Sequence, residues 1–202
     1  MGGLIKRRSG RHCGSAMSIS KQYKQSLAER EDNLCSHPLS LRSLPEADRM
    51  PDMLYFAYGS NMDADQMRER CSQARFVSRG CLPRWSFIIN SRGYANVVPS
   101  EVETVHGVLW EVDAGDLLKL DVYEGTALGF YERRTFAELV GDNRRVEAEI
   151  YVSGDKSPGI PTPTYMGTVL KGARCFGLPT PYLRDLALSW SAQANLLPGR
   201  VE

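Results

Sequence analysis

Residues 54–67, LYFAYGSNMDADQM, open with apolar and aromatic side chains on consecutive positions, pass through three small residues, and then turn polar with helical spacing. A short run that is apolar on both faces predicts a strand buried on both sides. Gly59 offers backbone angles that other residues resist, and Ser60 and Asn61 suit a turn. Asp63 with Gln66 three residues on forms an Asp version of the capping box, and Met62 and Met67 stand where a hydrophobic staple closes. The pattern predicts a strand, a tight turn and a helix over about 63–71. The free N–H groups of that junction converge on one spot fit for a carboxylate or a polarised carbonyl oxygen.

Downstream, strands are expected at 75–80, 84–90, 94–99 and 105–113, with Gly93 and Pro99 as punctuation. Asp113 caps a short helix, AGDLLKLDVY, that stops at Glu124-Gly125. Two strands, 131–140 and 144–152, read as a half-exposed hairpin because Val146, Ala148, Ile150 and Val152 alternate with polar neighbours. A loop rich in Pro and Gly (153–164) leads to helices near 165–176 and 180–192. Strands grouped in sequence with helices between and after them indicate an α+β fold, a mixed, curled or barrel-like sheet with flanking helices.

The first 52 residues lack steady periodicity, have no acidic residue before Glu29, and predict a disordered basic extension, an organellar transit peptide being the alternative. Met50 and Met53 stand where a shorter functional chain would start. The folded domain is expected over 53–195, with a short tail at 196–202.

Charge and composition narrow the function. The chain has 25 Lys+Arg and 24 Asp+Glu, of which 9 and 5 fall in residues 1–50, leaving 16 and 19 in the rest. That slightly acidic remainder argues against a nucleic-acid partner, and no apolar run is long enough to cross a bilayer. Five cysteines with no CxxC fit a reducing, cytoplasmic setting better than a bridged secreted scaffold. His12 and His37 lie in the extension. His106 alone remains for the domain, and it reads as a strand-edge residue, which puts Ser-His-Asp, Cys-His and zinc chemistry out of the front rank.

Three motifs in order, YGSNM after the first strand, LDVYEG about 60 residues later, and TYMGTVLKGARCFGLP, resemble the γ-glutamylcyclotransferase family over residues 53–190. YGSN differs from the YGSL turn of the glutathione-specific branch, and WSFIINSRGYANVVP is most similar to fungal members, including those tied to sulfur-containing secondary metabolites. The resemblance implies a cofactor-independent enzyme acting on a small γ-glutamyl compound, with a homodimer left open. The substrate's own α-amine attacks its γ-carbonyl and releases 5-oxoproline and a free amine or amino acid.

That reaction needs a pocket that holds a near-attack conformer, and a group that takes a proton from the α-ammonium (reference pKa ~7.7–8.0) and returns one to the leaving nitrogen. The resemblance gives that role to Glu124, whose aromatic neighbours Tyr123, Phe130 and Tyr131 would raise its pKa by partial burial. It gives substrate binding to the backbone amides of Tyr58, Gly59, Ser60 and Asn61, and to Tyr165, which would hydrogen-bond the substrate or Glu124. Arg92 and Tyr94 reach at most the rim. Asp121 and Glu132 compete as acid-base groups, but Asp121 faces away from Glu124 in a helix, and Glu138, Glu147 and Glu149 are spaced like the outer face of a hairpin. The alternatives are a non-catalytic module binding γ-glutamyl or other small acidic ligands, and an enzyme processing γ-glutamyl groups in secondary metabolism. Phosphate binding at YGSN lacks a GxGxxG run or a following Lys.

Overall fold

A computed structural model describes residues 53–141 and 144–195. The expectations for 1–52 and 196–202 fall outside the described residues. Strand β1 (Met53–Ala57) runs into a 3₁₀ turn, Ser60–Met62, and helix α1 (Ala64–Arg70). Strands β2 (Arg75–Ile89) and β3 (Ala95–Val112) come next, then helix α2 (Ala114–Glu124) and a second 3₁₀ turn, Thr126–Leu128. Strands β4 (Glu132–Gly141) and β5 (Arg144–Val152) precede helices α3 (Pro163–Cys175) and α4 (Thr180–Asn195).

The four strands expected between 75 and 113 are two long ones. The β2–β3 ladder slips between Phe76 and Ser78, inside an expected strand, and again between Pro83 and Trp85, where the gaps expected at 81–83 and 100–104 persist as a bulge. Arg84, inside the second slip, takes φ 63°. A bulge bends a strand without ending it, and pairing resumes at Trp85↔Pro99. Pro99, expected as a stop, lies within β3. His106 also departs from expectation: it pairs with Cys81 inside the ladder rather than at an edge, and its ring packs 4.9 Å from that of Tyr182.

The sheet closes into a barrel in the order β1-β3-β2-β4-β5, so the mixed, barrel-like sheet with flanking helices is the fold that forms. Every neighbouring pair is antiparallel except β1 and β5, which meet in parallel at Tyr55↔Glu149. Alternation along β1 explains its continuous apolar run. Phe56 and Tyr58 join Leu82, Val97, Leu109, Leu139 and Ile150, drawn from the other strands, in the barrel interior. Tyr55 and Ala57 face outward and pack with Met67 of α1, Leu120 of α2, Met166 and Val169 of α3, and Leu186 of α4.

Helix α3 crosses the 3₁₀ turn after β1 with almost no clearance. A Cβ at Gly172 would stand 2.5 Å from the Asp63 nitrogen and 2.5 Å from the Met62 carbonyl carbon. Next to it, the Lys171 ammonium spans Asp63 and Asp65 at 2.8 Å each. Because the clash is with backbone, Gly172→Ala is expected to lower unfolding stability by about 1–3 kcal/mol, the scale of overpacking. Denaturant unfolding measures it, and an unchanged midpoint would mean that the turn yields freely.

Candidate active site

Where β1 ends, the chain builds a cavity of about 340 Å³. Tyr58, Gly59, Ser60 and Asn61 line it from the turn, Glu124 from the end of α2, and Tyr165 from the start of α3. All six residues singled out in the sequence therefore share one hollow. Arg92 and Tyr94 line it as well.

Local chemistry explains each placement. Asp63 caps α1 by accepting the Gln66 N–H at 3.0 Å, but the reciprocal half of the capping box is missing. The Gln66 side chain instead donates to Ser60 Oγ at 2.8 Å and Asn61 Oδ1 at 3.1 Å. Asp113 caps α2. Gly125 ends it in the left-handed region at φ 67°, where a Cβ would lie 2.6 Å from the Phe130 ring. This fixes Glu124 as the last helical residue and lets Phe130 fold back over the mouth. Thr162 caps α3 through the Tyr165 N–H, with Pro163 in the first turn.

Gly59 has φ −106° and ψ −145°, outside the left-handed region. Space is what requires glycine there: a Cβ would sit 3.2 Å from both Ala95 Cβ and the Tyr165 hydroxyl.

Asn61 is the hub. Its Nδ2 donates to Glu124 Oε1 at 3.0 Å and to the Tyr55 hydroxyl at 2.8 Å. Its Oδ1 accepts from Gln66 and, at 2.6 Å, from Arg70, while its carbonyl accepts the Trp110 indole N–H at 3.1 Å. Both donors and both lone pairs of the side-chain amide are therefore used inside the protein. Arg70, its guanidinium 4.7 Å from the Tyr123 ring centroid, puts a positive charge beside Glu124.

Tyr165 does not bond Glu124. Its hydroxyl oxygen accepts the Ala95 N–H at 3.0 Å, which leaves its own proton free to donate. The Tyr58 hydroxyl is committed, donating to the Tyr151 carbonyl at 2.6 Å.

Burial raises the Glu124 pKa above its ordinary 4.5, while the Arg70 charge and the Asn61 hydrogen bond pull it down. The competing carboxylates are tied up elsewhere. Asp121 accepts from Tyr151 at 2.8 Å and pairs with Arg133 at 3.1 Å. Exposed Glu132 and Glu138 pair with Arg134 and Arg84. Glu149 is not purely solvated, since it accepts from Thr135 at 2.8 Å and lies 3.8 Å from Arg133. Burial lowers the His106 pKa, and among the described residues no group of three His, Cys, Asp or Glu side chains is placed to hold a metal ion. No helix among them is long and apolar enough to cross a membrane.

Sequence reasoning missed Gln66 and Arg70. Both lie on the Asn61 side of α1, four residues apart, and that i,i+4 spacing is the signal that marks them as neighbours on one face.

Comparison with known proteins adds to this geometry. Residues 55–167 match the family described as Gamma-glutamyl cyclotransferase, AIG2-like. A Bos taurus protein named gamma-glutamylcyclotransferase is 27% identical over 158 residues, 73% of this chain and 82% of that protein. The Homo sapiens protein of the same name is 27% identical over 143 residues, 66% of this chain and 76% of that protein. A solved structure named gamma-glutamyl cyclotransferase superposes with a TM-score of 0.65 at 26% identity, covering 75% of this chain and 94% of that one. The matched segment takes in more than half of the residues, all of the barrel but the first two residues of β1, and both Glu124 and Tyr165: the chain belongs to the Gamma-glutamyl cyclotransferase, AIG2-like family.

Proposed function

We infer that the protein is a cofactor-independent γ-glutamylcyclotransferase that converts a γ-glutamyl compound into 5-oxoproline and a free amine or amino acid in a cytoplasmic setting. One observation carries this reading: a buried carboxyl with a raised pKa, Glu124, faces the same cavity as a tyrosine hydroxyl whose proton is uncommitted.

The Glu124 carboxylate takes a proton from the α-ammonium. The freed amine attacks the γ-carbonyl, and the new C–N bond closes a five-membered ring. Negative charge collects on the former carbonyl oxygen, where the Tyr165 O–H donates. As the tetrahedral intermediate collapses, the bond to the leaving nitrogen breaks and Glu124 hands its proton to that nitrogen; the ring nitrogen, still carrying two hydrogens, gives one up through the same carboxylate to the released amine, which departs as an ammonium, so the enzyme ends as it began. Holding amine and carbonyl in near-attack geometry supplies much of the acceleration, since oriented intramolecular reactions reach effective molarities on the order of 10⁵ M or more. Asn61 is a positioning residue that orients Glu124 through its Nδ2.

The direct test is incubation of the purified protein with a panel of γ-glutamyl amino acids, amines and bulkier conjugates, scoring 5-oxoproline. Release from at least one donor is expected. Binding without release from any would replace the enzyme by a binding module.

Arg70 provides a test through pH. Its positive charge favours the carboxylate form of Glu124, so its removal makes the carboxyl harder to ionise. Arg70→Met is therefore expected to move the acid limb of the kcat/KM profile to higher pH, with activity recovering above it. A limb that stays put or moves down would separate Arg70 from the ionisation that controls turnover.

A further inference from the structure

Five of the large apolar side chains left exposed among the described residues gather at one place: Tyr94, Val122, Tyr123, Leu128 and Phe130 all line the cavity. Two of them are hardly covered, Val122 at 80% exposure and Leu128 at 71%. Single apolar residues scattered over a surface need no cause, whereas a contiguous set around one opening marks a contact that the free protein leaves unmade.

This rim is firmly built. Leu128 ends the second 3₁₀ turn, where the N–H groups of Leu128 and Phe130 both donate to the Gly125 carbonyl, at 3.0 and 3.2 Å, and the Gly129 N–H donates to the Thr126 carbonyl at 3.0 Å. Thr126 Oγ1 ties the turn back to the Asp121 carbonyl at 3.3 Å. The aromatic members are held by their faces. The Arg92 guanidinium lies 3.5 Å from the Phe130 ring centroid and 5.7 Å from that of Tyr94, and the Tyr94 ring meets Tyr165 edge to face at 5.2 Å. A ligand thus finds the apolar surface already in place and does not have to order it.

The rest of the lining has the opposite character. Glu124, Asn61, Gln66 and Arg70 form one polar network. The glutamyl half of a substrate, with its charged α-amine and α-carboxylate, belongs on that side, because the amine must reach Glu124. The half that leaves is then the part that meets the apolar rim. We propose that Val122 and Leu128 select the released half of the substrate, so that the preferred donors are γ-glutamyl conjugates whose leaving amine carries a bulky apolar or aromatic group. A second copy of this chain seated on the same side chains would close the entrance to the cavity, which makes the substrate the fitting occupant. The proposal rests on the cyclotransferase reading and names its substrate class.

The test compares γ-glutamyl-leucine with γ-glutamyl-glutamine, which share the glutamyl half and the carboxylate of the released half and are close in size, so that they differ in the polarity of one side chain. The ratio of kcat/KM values, leucine over glutamine, is expected to be about tenfold or more, the scale of a few carbons moved from water into apolar contact. Leu128→Ser and Val122→Ser each lower that ratio, the two together bring it close to one, and Leu128→Met keeps most of it. Both positions are exposed, so the serine variants fold as the parent does. A ratio that the double serine variant leaves unmoved overturns the proposal. So does a sedimentation result in which Leu128→Ser splits a dimer while the ratio holds, which would put a second copy on the rim. If the unaltered enzyme turns over both donors equally well, only the substrate class fails; if no γ-glutamyl donor yields 5-oxoproline, the cyclotransferase reading fails and takes the proposal with it.

Discussion

Glu124→Gln is expected to lower kcat/KM by about 10²–10⁴-fold, the usual contribution of a positioned acid-base group, while the fold stays intact. The replacement keeps size and shape, and its amide oxygen still accepts from Asn61, so the hub remains satisfied. It removes only the capacity to carry a proton. Stability should respond in a characteristic way. Burial raises the native pKa of Glu124 above its ordinary 4.5, so the folded protein holds this proton more tightly than the unfolded chain. The stability that this group contributes is therefore present below 4.5 and lost as pH rises through the raised native value. The Gln variant lacks that loss and should melt at the same temperature as the parent or slightly higher at neutral pH. Turnover and melting curves recorded side by side check both parts, and undiminished turnover would remove Glu124 from the chemistry.

Tyr165→Phe is expected to lower kcat by about 10²–10³-fold, as deletion of one donor to a developing oxyanion does, with a much smaller change in KM. The effect on kcat is the informative part. Burial pushes the Tyr165 hydroxyl up to about 12, so it keeps its proton throughout the physiological range and acts as a donor, not as a base. The variant also leaves the Ala95 amide without its acceptor, which costs about 1–3 kcal/mol where water does not replace it. Stability and kcat should therefore fall together, and the Arg70-dependent acid limb should stay in place because Tyr165 does not bond Glu124. A variant with reduced stability but parental kcat would make Tyr165 a strut for the turn and nothing more.

Much of this arrangement was legible in residues whose roles are local. Asp63 and Asp113 cap helices by bonds that depend only on near neighbours, and Gly125 ends α2 through its own φ, so these positions read correctly from sequence. What failed depended on tertiary context. The gaps expected at 81–83 and 100–104 are one bulge, because the paired strands continue past it, which no single strand reveals. The Gly59 turn reads as a demand for unusual angles, whereas the demand is for room beside Ala95 and Tyr165, the latter more than a hundred residues away in the chain. Asn61 is legible as a turn residue with a backbone amide. Its side chain became the hub only because α1 presents Gln66 and Arg70, and α2 presents Glu124, to the same point.

The parallel seam at Tyr55↔Glu149 sets an order of events during synthesis. The strand that opens the barrel leaves the ribosome early and must wait for β5 to close it, and Tyr165 follows later still. Closing so long a loop is entropically slow, and no nascent chain that stops short of α3 has the tyrosine that receives the Ala95 amide and lines the cavity. Competence of the pocket thus arrives only once α3 has emerged, and shorter nascent chains carry the YGSN sequence without the ability to use it.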